Sequence, residues 1–462
     1  MNTSPGRRHD ETDAQDSQAA FSSGAEDVLA GSDTAGDRGD ASDSRRGGPE
    51  QHDGQATRRG RRSPWNRPRD RGVAAALAVL AVATGVLVWW FSDSRATTQR
   101  TAAPPPPPPA EPASVPAELS EIWRAPSDAT TAPVSEGGLV ITAADSQVVG
   151  RDPATGQARW RYARDLPLCT VTNAWSKVLA VYRKDLGCSE VTQLDAGTGR
   201  RTAQRNGDAE LGTRLVEGGS HVTTTGDHLL NTWRNDLVKS MEYGRVPAQV
   251  NPGRQPRTEC EYGTVAAASG KVGVIEHCPD ESGARLTVLK AAGEEADKPE
   301  QEFSALLPES SATLVAMADD AVAVAMPEHG RLFVFNGEGR QTATYPLDVP
   351  SAELAANPPG GVVATSQGGD NVYWFTGSRT VALSAGTLRP LWTVHDTLGP
   401  GTLFAGEYVV PIEGGLAVLN AADGTTLRTV RVDRGGGDNT IRLAPAGPVL
   451  LEQRGDTVVA LK

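Results

Sequence analysis

Between Val148 and Lys462 one phrase keeps returning: a short β-rich run, a polar residue, a glycine-containing turn, and often a second run that carries tryptophan. It reads VVGRDPATGQARWRYAR at 148–164, VTQLDAGTGRRTAQR at 191–205, LFVFNGEGRQTATYPLD at 332–348, VALSAGTLRPLWTV at 381–394 and LAVLNAADGTTLRTVRVD at 416–433. Weaker copies are LLNTWRNDLVKSMEY at 229–243 and LTVLKAAGEEADK at 286–298, and TVVALK at 457–462 is the first half alone. Aligning the polar residue gives Asp152, Asp195, Arg234, Lys290, Asn336, Ser384, Asn420 and Lys462, at intervals of 43, 39, 56, 46, 48, 36 and 42 residues. Four-stranded propeller blades repeat at roughly 40–50 residues.

Each phrase supplies the third and outermost strands of a blade. The motif residues Asp152, Gly156 and Trp160, Asp195 and Gly199, Trp392, and Asn420 and Gly424 mark the turn between them, where glycine provides positive φ. Runs such as Gly138–Ala143, Lys177–Tyr182, Lys271–Glu276 and Ala321–Met326 supply inner strands, and helical periodicity is missing. The expected fold is therefore all-β: a propeller over 118–462 of eight four-stranded blades, with seven as the alternative. The half-phrase at Lys462 lacks an outer strand. Glu118–Ala125 (ELSEIWRA) is the complementary half, with Ile122 and Trp123 placed to close the ring and remove an open edge.

The phrase D-A-x-T-G-x-x-x-W resembles the repeat of the pyrroloquinoline-quinone-type, quinoprotein dehydrogenase-like β-propellers, best at Asp152–Trp160 and Asp195–Arg205. The resemblance implies a fold rather than an activity, since that family runs from dehydrogenases to non-catalytic scaffold subunits of envelope assembly machines. Its quinone-dependent members carry a disulfide between adjacent cysteines and acidic and amide calcium ligands. This chain has no Cys-Cys pair, so neither the quinone nor any other cofactor is expected. The layout ahead of the propeller is similar to that of membrane-anchored proteins of high-GC Gram-positive bacteria.

That layout follows from charge and hydropathy. Residues 1–57 hold 12 Asp+Glu and 5 Arg with almost no bulky apolar side chains, which predicts a disordered arm. Residues 58–71 reverse the sign with seven Arg and one Asp, so the arm is taken as 1–71. Gly72–Phe91 is twenty residues without charge, long enough at 1.5 Å per residue to cross a hydrocarbon core of about 30 Å. The Arg cluster before this signal anchor predicts a cytoplasmic N-terminus and an extracytoplasmic propeller in the cell membrane. Residues 92–117, with Pro104–Pro109, read as a semi-rigid polyproline stalk.

The chain's chemistry is sparse. A net charge of −12 argues against a nucleic-acid partner. Outside the membrane, Cys169/Cys188 and Cys260/Cys278 are expected as two local disulfides in the second and fourth blades; a metal site would want closer spacing and more histidine partners than His277. The remaining histidines are scattered, and G-x-S-x-G, a Walker loop and HExxH are all missing, so no catalytic or metal residue is assigned. Two insertions, 245–259 and 291–302, are read either as a contact surface or as tolerant loops. The expected role is a non-catalytic binding or scaffold module for envelope proteins or polymers. A quinone- or metal-dependent oxidoreductase is the first alternative and a transmembrane sensor of an external ligand the second.

Overall fold

The computed structural model describes residues 68–90, 92, 95–107, 109–435 and 440–462. The acidic arm and most of the Arg cluster lie outside the described residues, as does Phe91. Pro68–Trp90 is one helix, beginning four residues before the uncharged run and taking in Arg69, Asp70 and Arg71. From Arg69 to Trp90 it is long and apolar enough to cross a membrane.

Residues 121–461 form eight antiparallel sheets, each laid down from the innermost strand outward. Blades 1 to 7 occupy 134–163, 168–206, 215–244, 261–306, 313–346, 365–395 and 402–431. Blade 8 takes three strands from 441–461 and its outermost, Glu121–Pro126, from the far end of the array. That strand pairs antiparallel with Thr457–Leu461, setting Trp123 opposite Ala460 and Pro126 opposite Thr457. Ser120 and Lys462 extend the ladder with reciprocal backbone bonds of 2.9 Å. Eight blades close the ring.

Stacking explains why inner strands read as unbroken apolar runs. A middle strand has a neighbouring blade on each face, so both sets of side chains are covered. Ala321–Met326 is buried at every position, whereas outermost Thr426–Arg431 is mostly exposed. All seven outer hairpins carry a register shift close to the turn, as between Gly150 and Arg151 or between Ala382 and Leu383, and the closing pair of blade 8 carries one between Glu121 and Trp123. Such a bulge twists the strand end and re-aims its side chains, here toward the next blade. Ile122 sits in the bulge of the closing strand and is 40% exposed, so the closure's apolar packing falls to Trp123 and the buried Ala125.

The proline-rich segment lies on the ring. Thr98–Arg100 adds a fifth strand outside blade 1, pairing with 161–163. The Ala102 N–H then donates to Thr198 in the outer turn of blade 2. Farther on, Glu111 accepts from the Ala405 N–H and Glu407 accepts from the Val115 N–H, both on blade 7. Val115 and Leu119 are buried.

Candidate functional site

The motif residues are seam parts. The indole of Trp160, 1% exposed, lies over Gly199 of blade 2 and donates to the Ala196 carbonyl at 2.9 Å. A Cβ on Gly199 would come within 2.5 Å of that ring, and φ there is +70°, so glycine is required twice over. Trp123 repeats the arrangement on Gly156 and the Pro153 carbonyl, and Trp392 on Gly424 and the Ala421 carbonyl. Asp152 and Asp195 brace their turns by accepting from Thr155 and Thr198 respectively. At the turn of Asn420, the side chain accepts from the Ala422 N–H.

Sequence reasoning missed a second set of seam parts. Glu190, Glu276 and Glu452 are fully buried, and each meets an arginine: Arg164, Arg257 at 3.3 Å, and Arg434 at 2.8 Å. Arg164 and Arg434 come from the end of the preceding blade, so these pairs also buckle one blade to the next. Burial alone would lower the Arg257 pKa, but Tyr243 and Glu276 outweigh it and raise it. Disulfides join Cys169 to Cys188 in blade 2 and Cys260 to Cys278 in blade 4. Glu276 lies against the second pair, but sulfurs bonded to one another are not metal ligands.

The candidate site is where the channel opens among the blade-to-blade connections. A cavity of about 520 Å³ is walled there by the starts of innermost strands, including Arg214, Thr313 and Arg442, and by the connection between blades 5 and 6. That connection, residues 347–364, is an insertion the repeat spacing did not single out. Its first half is pinned where Thr313 Oγ1 donates to the Leu354 carbonyl at 2.8 Å, and where Glu353 accepts from Thr376, Ser378 and Arg379. Burial works to raise the Glu353 pKa, yet those donors hold it below the ordinary value. The second half, Pro358-Pro359-Gly360-Gly361, reaches blades 3 and 4. A Cβ on Gly360 would meet Arg214 Cγ at 2.5 Å, and one on Gly361 the Gly263 carbonyl oxygen at 2.5 Å. Both glycines have positive φ. The dipeptide therefore seats the aliphatic stem of Arg214 against the cavity.

Among the described residues, neither guanidinium has a hydrogen-bond or ion-pair partner, and Arg214 Nε is buried unpaired. Burial lowers the pKa of both arginines, and the charge of Arg214 lowers that of Arg442 further. Among the described residues, no histidine, cysteine, serine or lysine lines the cavity.

No protein-family model matches the chain, and no curated protein sequence matches it. Solved structures do. The computationally designed Ika8 protein is similar with a TM-score of 0.50 at 14% identity, over 75% of this chain and 99% of its own. BamB from Moraxella catarrhalis gives 0.46 at 16% identity, over 74% and 99%. The quinohemoprotein alcohol dehydrogenase ADHIIG from Pseudomonas putida gives 0.46 at 11% identity, over 74% and 76%. At such identities the likeness is one of fold.

Proposed function

We propose that this chain is a membrane-anchored, extracytoplasmic propeller that binds or scaffolds envelope proteins or polymers and catalyses nothing itself. The observation that carries the reading is the use made of the ring's reactive side chains. Its cysteines form straps, the buried Glu190, Glu276 and Glu452 each meet an arginine, and the described residues of the channel cavity wall include no cysteine, serine, lysine or histidine. The apolar helix at Pro68–Trp90 supports anchoring, and two disulfides suit an oxidising compartment. The seven Arg of 58–71, Arg69 and Arg71 among them in the helix's first turn, support the direction: 1–71 inside, the propeller outside. The proposed anchor is Gly72–Phe91, and no quinone or metal is required.

Two experiments test this. Protease added to intact cells should remove the propeller and spare the N-terminal arm; digestion of the arm from outside reverses the orientation. Crosslinking in native membranes should then capture a defined envelope component, lost when the propeller is removed. A purified ring with quinone absorbance and dye-linked oxidation would replace the scaffold reading with the oxidoreductase one.

A further inference from the structure

We infer that the channel mouth is an oxyanion site, in which Arg214 and Arg442 together hold one carboxylate or phosphate group of a small ligand. The ring shows what it does with a buried arginine when the role is structural. Arg164 and Arg434 each meet a fully buried glutamate, and Arg257 meets another. Arg214 and Arg442 stand apart because they share one cavity wall and meet no counter-charge. Placing two like charges together out of full water is costly unless an anion offsets them.

The carboxylates nearby do not serve. Glu353 is occupied by Thr376, Ser378 and Arg379. Asp128 and Asp456 line the same cavity but are exposed to solvent, and neither forms an ion pair with the arginines. The Arg214 stem is fixed by the Gly360 turn, so its planar fork is held ready rather than left to wander. Guanidinium groups bind carboxylate and phosphate by paired N–H donors, which a point charge such as lysine cannot match. Thr130, Thr313 and Gln453 in the wall are already committed to protein partners, and Arg214 and Arg442 are the cationic side chains among its described residues. About 520 Å³ admits a small ligand or the end of a longer one. This inference does not depend on the scaffold reading, since capture of an envelope partner could fail while the ring still binds an anion.

The test uses the full chain in detergent, titrated with inorganic phosphate and, separately, with citrate, at constant ionic strength set by sodium chloride. Calorimetry and thermal melting are read together. At least one anion should raise the melting midpoint by about 2 °C or more at roughly 10 mM, as ligand linkage requires. Response to phosphate alone assigns a phosphate ligand; response to citrate alone assigns a carboxylate. Arg214→Gln and Arg442→Gln should each abolish the response, while Arg340→Gln, which removes an exposed arginine beside Glu338, should keep it. If the glutamine variants do not fold, Arg442→Lys decides: about tenfold weaker binding upholds the site, and unchanged binding overturns it. No response in the unaltered chain, or equal responses in the glutamine variants, also overturns it.

Discussion

The seam between blades 1 and 2 and the seam between blades 3 and 4 do the same job with different groups. At the first, Trp160 covers Gly199 and donates to the Ala196 carbonyl. At the second, Met241 stands at the register position of Trp160, and its neighbour Ser240 donates to the Ala291 carbonyl, the counterpart of Ala196. A hydroxyl has taken over the indole's hydrogen bond but not its area. The shortfall is met by stacking Tyr243 on Tyr262, with centroids 5.6 Å apart, and by a polar bridge between the two insertions. Arg254 reaches Asp297 at 3.1 Å, Asn251 donates to Asp297 at 2.6 Å, and Gln255 donates to the Asp297 carbonyl at 2.9 Å. The insertions at 245–259 and 291–302 thus contact each other. Ring geometry fixes which carbonyl must be satisfied and leaves open which side chain does it.

The sharpest way to break this comparison is to remove the seam both regions depend on. Deleting Glu118–Ala125 should cost at least about 5 kcal/mol, the low end of a domain's whole margin, and abolish cooperative melting in a soluble 117–462 fragment. An unchanged melt would show that the eighth blade's outer strand is dispensable. Trp160→Ala should cost about 3–5 kcal/mol, and the loss should be the same in low and high salt because the packing is apolar. Replacing Cys169 and Cys188 together by serine should cost about 3 kcal/mol, as should the pair Cys260 and Cys278, since the closed loops are similar in length. Arg254→Ala should cost least of these substitutions and less still in high salt, because its partners are partly exposed. If Arg254→Ala rivalled Trp160→Ala, the polar bridge would be the stronger seam.

The smallest effect is a pH dependence at blade 7. Hydrogen bonds from Arg428 lead in holding the Glu407 carboxyl below its ordinary value, with the Val115 N–H assisting against desolvation. A depressed carboxylate contributes stability that is complete above the unfolded-state value and is lost as pH falls through the folded-state one. Hydrogen-exchange protection over 111–119, taken relative to the intrinsic exchange rate at each pH, should therefore stay constant from neutral pH down to that range and fall below it. Glu407→Gln should flatten the change.

What could be read in advance follows the same division between seams. Asp152, Gly156, Asp195, Gly199 and Asn420 sit in turns whose backbone demands those residue types, so spacing exposed the blades and their number. The cysteine spacing placed both straps on the right blades. Trp160 announced its seam because few side chains replace an indole over glycine. Ser240 and Met241 gave no such signal, since a hydroxyl and a thioether occur anywhere in a strand. Arg164 and Glu190 are 26 residues apart and meet only through the stacking of blades. The channel site was hidden for a further reason. Arg214 and Arg442 start two innermost strands in blades 3 and 8, and the turn that seats one of them comes from between blades 5 and 6. Only the Pro-Pro-Gly-Gly run at 358–361 hinted that this connection has a fixed shape.

The closing strand has a consequence for how the protein is made. Glu121–Pro126 emerges first and its partner Thr457–Leu461 last, with more than three hundred residues between them. At about 5–20 residues per second the early strand waits on the order of half a minute with its hydrogen-bonding edge unpaired. Seven blades can assemble in turn during that interval, each covering the last, while the eighth cannot. The period of greatest exposure to aggregation and proteolysis is thus set by the wait for Thr457–Leu461. A chain released slightly early is left with an open ring.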